Sequence, residues 1–218
     1  DEISKGGLVV RTTIDKSAQE AAEWAVVKET PNDAPKDLHV GLVAIKPGDG
    51  AVIAMYGGSD YLERQLNDAT QSITQAGSTF KPFALIAALE RGIPLSSVWD
   101  GRSPQIYYGA GKPYKVSNYG NSNFGKLPLY RATAYSVNTI FVRLAYRVGF
   151  APIVDAARRA GIPSSVEMLP TPSFVLGVSS PHVVDVANAF ATFASEGIYS
   201  KPYLISRISR LNGSAIYE

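Results

Sequence analysis

The chain has 218 residues, 45% of them hydrophobic and 18% charged, with a formal net charge of +2 and a mean hydropathy near zero. That apolar fraction, without low-complexity tracts, excludes disorder and fits one good-sized globular domain or two small ones. The absence of cysteine excludes a disulfide framework, thiol catalysis and cysteine-ligated zinc.

In chain order, residues 8–14 are β-branched and strand-like, and Ser17 with Glu20 has the spacing of a capping box opening a helix over 18–29. A loop over 30–37 leads into a predicted hairpin, strands 39–46 and 51–56, turning at Pro47-Gly48-Asp49-Gly50. Residues 57–76 read as a polar loop. Phe83 to Leu89 is apolar on every side, which predicts a helix buried in the middle of the domain, stopped by Gly92 and Pro94. Residues 99–127, rich in Tyr, Gly and Asn, read as an irregular functional loop. Helices are predicted over 128–135 and 139–148. Two more are bracketed by Pro152 and Gly161 and by Pro181 and Gly197, each with proline at its first turn. The chain finishes in a predicted hairpin, 203–210 and 215–217, turning at Asn212-Gly213.

No run of 18 apolar residues is present, and the first residues have neither a basic start nor an apolar stretch, so no membrane span or signal peptide is read here. The charged fraction is low for a soluble domain, which usually carries about 25%, and this suggests surface that something else normally covers. Residues 1–109 hold 10 Lys/Arg against 14 Asp/Glu, and residues 110–218 hold 11 against 5. The basic residues of the second half are scattered singly, without the clusters of nucleic-acid binders, so no nucleic-acid partner is expected. His39 and His182 are far apart with no ligand-spaced partner, and both read as structural.

Chemistry must therefore use hydroxyls, amines, amides or carboxylates. The string Gln75-Ala-Gly-Ser78-Thr-Phe-Lys81-Pro82-Phe83 is the first candidate. Pro82 belongs in or near a first helical turn, which places Ser78 at the start of the buried helix. Residues three apart share a face, so the Lys81 amine can reach the Ser78 hydroxyl. Desolvation and the positive helix end both lower a lysine pKa, favouring the neutral amine of a general base. The orphan N–H groups of the same terminus offer part of an oxyanion hole. The plainer alternative is that Ser78 only caps the helix and Lys81 reaches to water. The second string, Tyr135-Ser136-Val137-Asn138, sits between two predicted helices. There Asn138 also suits the N-cap of the helix that follows, while Ser136 and Asn138 together suit a proton relay and an amide-binding group.

Taken together, Gly77-Ser-Thr-Phe-Lys81-Pro-Phe83 and Ser136-Val-Asn138 resemble the penicillin-binding protein transpeptidases, in particular the high-molecular-mass class A. Arg11-Thr-Thr-Ile-Asp15 with Gln19-Glu-Ala-Ala22, the stretch from Gly50 to Gly58, and Asn118-Tyr119 fit the same family, so the resemblance runs over nearly the whole chain. It implies an α/β (α+β) fold of the penicillin-binding and serine β-lactamase type, an antiparallel sheet packed with helices plus an all-helical subdomain. Residues 1–37 would be an entry strand and helix, and 38–218 the N-terminal part of the transpeptidase domain, with a sheet hairpin at 38–57, a helical region at 77–197 and a terminal hairpin at 201–218.

The resemblance makes Ser78 the nucleophile toward D-Ala-D-Ala stem peptides of peptidoglycan and toward β-lactam antibiotics. Lys81 would take its proton, Ser136 would shuttle a proton to the leaving amine, and Asn138 would bind the substrate amide. No metal or organic cofactor is implied. The expected location is the outer side of the cytoplasmic membrane, with an anchor upstream of Asp1. One departure stands out, since the family's third motif, Lys-Thr/Ser-Gly, is absent and the lysine after Ser136 is Lys201 in Lys-Pro-Tyr. This suggests that the remaining C-terminal part of the domain, cut off here or supplied by a separate chain, completes the sheet and that the hairpin 39–56 otherwise presents an unpaired edge. Without it the isolated chain is expected to be inactive. A β-lactamase-like hydrolase is disfavoured because Glu167-Met-Leu-Pro-Thr171 lacks the asparagine of a Glu-x-x-x-Asn string. A non-catalytic scaffold is disfavoured by the joint presence of Ser78, Lys81, Ser136 and Asn138. Tyr107, Tyr108, Tyr114 and Tyr119 read as packing on their own domain in preference to lining a peptide groove.

Overall fold

The β-branched run near the N-terminus forms strand β1, Leu8–Thr12, followed by helix α1, Lys16–Glu29. The cap of α1 differs from the expected Ser17 box. Asp15 is the N-cap, and its Oδ1 accepts from the Ala18 N–H at 2.9 Å and from the Ser17 hydroxyl at 2.5 Å. A carboxylate is the stronger acceptor, so Ser17 donates to the cap instead of forming it. The computed structural model describes residues 6–35, 37–108 and 112–217. They fall into two compact units, one from the two ends of the chain (up to Ile73 and from His182 on), the other Thr74–Pro181.

In the first unit, β2 (Leu42–Ile45) and β3 (Val52–Tyr56) form the expected antiparallel hairpin, with an irregularity after Ala44. Helix α1 packs against β3, and helix α6 (Val183–Ala194) packs against β2. The outer edge of β3 is not left open. The Gln19 side-chain amide donates to the Met55 carbonyl (2.9 Å) and accepts from the Met55 N–H (2.8 Å), as a neighbouring strand would. On the same strand the Asp15 N–H donates to Ile53 O and the Val52 N–H to Tyr203 O, each at 2.9 Å. The β3 edge is therefore partnered, while β2 carries no second strand among the described residues and is the edge of the hairpin that stays unpaired by a strand. Strands β8 (Ile205–Arg210) and β9 (Ala215–Tyr217) form the terminal hairpin, and β1 pairs with β8 in an antiparallel sheet ordered β1-β8-β9. Helix α6 starts two residues past its expected proline, Pro181. His182 is the N-cap, its N–H donating to Asp185 Oδ2 at 3.0 Å while its ring Nδ1 faces the Ser72 carbonyl at 2.9 Å. Pro181 thus precedes the cap.

The second unit opens with a 3₁₀ turn, Gly77–Phe80, continuous with helix α2, Lys81–Glu90. Phe83, Ala84, Ala87 and Ala88 of α2 are buried, but Leu89 is 42% exposed, so α2 is not buried on every face as its composition suggests. The stretch expected to be an irregular loop contains four strands, β4 (Val98–Asp100), β5 (Gln105–Tyr107), β6 (Tyr114–Val116) and β7 (Lys126–Pro128). They pair as β4–β7 and β5–β6, so this unit is not all-helical. Three residues are too few for strand periodicity to show in a sequence. Residues 109–111 of that stretch lie outside the described residues. Helices α3 (Leu129–Ala134), α4 (Asn138–Val148) and α5 (Phe150–Ala160) follow, with α2 packed on both α4 and α5. Phe80, Phe83 and Phe174 meet edge to face, with centroids 4.9 and 5.0 Å apart, and tie the 3₁₀ turn to this helical core. Helices and antiparallel strands together give the expected α/β (α+β) class. No helix of the described residues is long and apolar enough to cross a membrane.

Candidate active site

Ser78 lies exposed on the 3₁₀ turn, and Lys81 is the first residue of α2. In a 3₁₀ turn residues i and i+3 eclipse, which sets Lys81 Nζ 3.0 Å from Ser78 Oγ. The turn is braced from across the unit, because the Ala76 N–H donates to Ser179 O (3.0 Å) and the Gly77 N–H to Gly177 O (2.9 Å). Gly177 has φ +78°, and a Cβ there would overlap the Gly77 carbonyl, so only glycine fits.

Ser136 and Asn138, 55 and 57 residues further on, converge on the same amine. Lys81 Nζ lies 2.7 Å from the Ser136 carbonyl, 2.8 Å from Ser136 Oγ and 2.7 Å from Asn138 Oδ1. Ser136 has φ +51°, a left-handed conformation costing an L-residue about 1–2 kcal/mol. It turns both the Ser136 carbonyl and its hydroxyl toward Nζ. Lys81 is only 3% exposed, and the Phe141 ring centroid lies 5.6 Å from Nζ. This burial lowers the Lys81 pKa to about 8.

The four neighbours of Nζ have different capacities. The Ser136 carbonyl and Asn138 Oδ1 can only accept, and they take two N–H bonds. The remaining direction of the tetrahedral nitrogen faces the hydroxyls of Ser78 and Ser136. It carries an N–H in the ammonium and a lone pair in the amine. The geometry thus aims the basic electron pair at one exposed and one half-buried hydroxyl.

All four residues singled out in the sequence are brought together. The expectation that Asn138 caps α4 is not met, since the N-cap position is Val137 and the Asn138 amide is engaged by Lys81 and, through Nδ2, by the Ser117 carbonyl at 3.0 Å. Sequence reasoning missed Ser117, because a backbone carbonyl leaves no signature, and missed Phe141 and Gly177, whose parts depend on distant contacts. Of the tyrosines, Tyr107 packs inward, stacked on Tyr146 with its hydroxyl 2.8 Å from the Thr139 carbonyl. Tyr114 is half-buried, but Tyr108 and Tyr119 are 78% and 96% exposed and do not pack on their own domain. Glu167 is exposed and outside the Lys81 network.

With this fold and site in view, the comparison with known proteins is direct. The model of the penicillin binding protein transpeptidase domain family matches residues 40–216, and the chain belongs to that family. Penicillin-binding protein 1A of Mycobacterium tuberculosis is 37% identical over 226 residues, which cover 97% of this chain and 26% of that protein. Penicillin-binding protein 2D of Bacillus subtilis is 33% identical over 220 residues, covering 100% of this chain and 31% of that protein. The structure of PonA1 from Mycobacterium tuberculosis in complex with penicillin V superposes with a TM-score of 0.88 at 35% identity, covering 100% of this chain and 60% of that one. The chain therefore spans only about a quarter to a third of the curated relatives it matches.

Proposed function

We propose that this chain carries the acylation machinery of a peptidoglycan D,D-transpeptidase, with Ser78 as the nucleophile. The observation that carries the reading is the Lys81 amine, buried and held by two carbonyls with its free direction toward Ser78 Oγ at 3.0 Å. Ser78 Oγ attacks the carbonyl of the penultimate D-alanine of a stem peptide, and its proton passes to the Lys81 lone pair. The Gly77 N–H is taken by the Gly177 carbonyl, so the backbone N–H of Ser78 itself is assigned here to the developing oxyanion. As the tetrahedral intermediate collapses, its C–N bond breaks. The proton travels from Lys81 through Ser136 Oγ to the departing D-alanine amine, leaving an ester on Ser78. The amine of a second stem peptide then attacks that ester, the same relay runs in reverse, and the cross-link forms. Asn138 spends one Nδ2–H on Ser117 and keeps the other for a substrate amide carbonyl.

A β-lactam acylates Ser78 in the same way, but its leaving amine stays tethered and the ester persists. The penicillin V complex of PonA1 supports this for the present chain. These steps balance without a cofactor. In this reading the chain works in the cell envelope, on the outer side of the cytoplasmic membrane, where its peptidoglycan substrate lies. The Lys-Thr/Ser-Gly element, absent from residues 1–218, is assigned in this reading to further polypeptide that binds the substrate carboxylate.

Incubation of the full-length protein with a fluorescent penicillin, followed by peptide mass spectrometry, tests the assignment. One adduct on the peptide containing Ser78, abolished by Ser78→Ala, is expected, together with D-alanine release from a stem pentapeptide. No adduct, or an adduct elsewhere, overturns it.

A further inference from the structure

We propose that Asn118 is a positioning residue for acylation, which caps helix α4 from a distance and thereby leaves the Asn138 amide free to orient Lys81. The inference rests on the function proposed above.

A helix start has N–H groups without partners, usually met by a side-chain oxygen at the N-cap. At α4 the N-cap position is Val137, which has none. Asn138 could serve if the helix began one residue later, but its Oδ1 would then turn toward the helix N–H groups and away from Lys81. Instead the Thr139 N–H donates to Asn118 Oδ1 at 3.0 Å, and the Thr139 hydroxyl lies 3.2 Å from the same oxygen. The cap is supplied from 21 residues upstream.

Asn118 has no freedom to do otherwise. It is 4% exposed, and its Nδ2 donates to the carbonyls of Gly101 and Ser122, both at 3.0 Å, while its own N–H donates to Ser103 Oγ at 3.0 Å. A flipped amide would set its NH₂ against the Thr139 N–H and its oxygen against two carbonyls. The fixed Asn118 backbone fixes the preceding peptide, and that Ser117 carbonyl accepts from Asn138 Nδ2 at 3.0 Å. This bond selects the Asn138 flip that presents Oδ1 to Lys81 Nζ at 2.7 Å. The line of influence runs from Asn118 to the Ser117 carbonyl, to the Asn138 amide, and so to the direction of the Lys81 lone pair.

The test separates a positioning role from a merely structural one. In the full-length protein, Asn118→Ala is expected to slow the acylation step by a penicillin about 10- to 100-fold, the cost of a small misplacement of reacting groups, with the preceding binding constant changed less than about threefold. Val137→Thr places a local cap oxygen on α4 in a side chain of the same shape. Added to Asn118→Ala, it is expected to restore the melting temperature without restoring the acylation step, and it keeps the comparison possible where the single variant unfolds. Restoration of both, or an unchanged acylation step in Asn118→Ala, overturns the proposal. A crystal structure of the double variant supplies an arm independent of the chemistry, with the Asn138 amide expected to leave Lys81. An amide that stays in place overturns the inference. A parent protein that takes no penicillin counts against the proposed function instead, and the crystallographic arm still decides the role of Asn118.

Discussion

The two units of this molecule are stabilised differently. The largest fully buried side chains, among them Phe80, Phe83, Phe141, Phe174, Leu129 and Ile140, all belong to the Thr74–Pro181 unit that holds the site. The buried apolar side chains of the other unit are small, namely Ala22, Ala51, Val52, Ala54, Ala69 and Ala189, and its β1 is exposed along most of its length. Charge divides the same way. The site unit holds eleven Lys/Arg against four Asp/Glu, and the unit of the chain ends holds ten against fifteen. A deep aromatic core gives the site its low dielectric and rigid walls, and it is against that core that a lysine can be buried. The site unit carries this as a cost. Holding Lys81 with a pKa near 8 in place of 10.5 opposes folding at neutral pH by about 3 kcal/mol before its hydrogen bonds are counted.

The contrast can be broken most sharply at Lys81. Lys81→Met is expected to slow penicillin acylation about 10²- to 10⁴-fold, the range of a lost general base, while a fluorescent-penicillin time course of the parent shows a rate rising about tenfold per pH unit and levelling near pH 8. The sign for stability is the same. Because the folded pKa lies below the unfolded one, the unfolded chain binds more protons between about pH 8 and 10.5, so unfolding free energy rises with pH across that window in the parent and loses that rise in Lys81→Met. Next in size, Phe141→Ala, a fully buried ring beside Nζ, is expected to destabilise by about 3–5 kcal/mol in denaturant titration. Val10→Ala on the half-exposed β1 should cost less than about 1 kcal/mol. Equal losses at the two sites would remove the distinction between the units. The smallest effect is expected at the helix cap, where Asp15→Ala should lower stability by about 1 kcal/mol and leave acylation unchanged.

Much of the fold was legible from residue order. The hairpin at 42–56, the helices ended by Gly92, Gly149 and Gly161, and the terminal hairpin at Asn212-Gly213 follow from local periodicity and turn chemistry. The short strands β4 to β7 were not legible, since each is held by a partner strand and not by its own pattern. The caps of α1 and α4 were misjudged because more than one side chain could serve, a near neighbour at α1 and a remote residue at α4, and the choice between Asp15 and Ser17, or between Asn118 and Asn138, is made by what else each side chain must contact.

For the site, the sequence by itself determined the chemistry available: no thiol, a serine and a lysine three apart at a helix start, and a Ser-x-Asn string later on. Spacing along one turn is a local property, so the Ser78–Lys81 contact needed no knowledge of the rest of the chain. Only the tertiary structure decided that Ser136 and Asn138 meet Lys81, that Lys81 is dry enough for its pKa to fall, and that a remote asparagine caps α4. Those facts rest on contacts between residues 21 to 57 positions apart, and desolvation is a property of everything packed around an atom, which no single stretch of sequence contains.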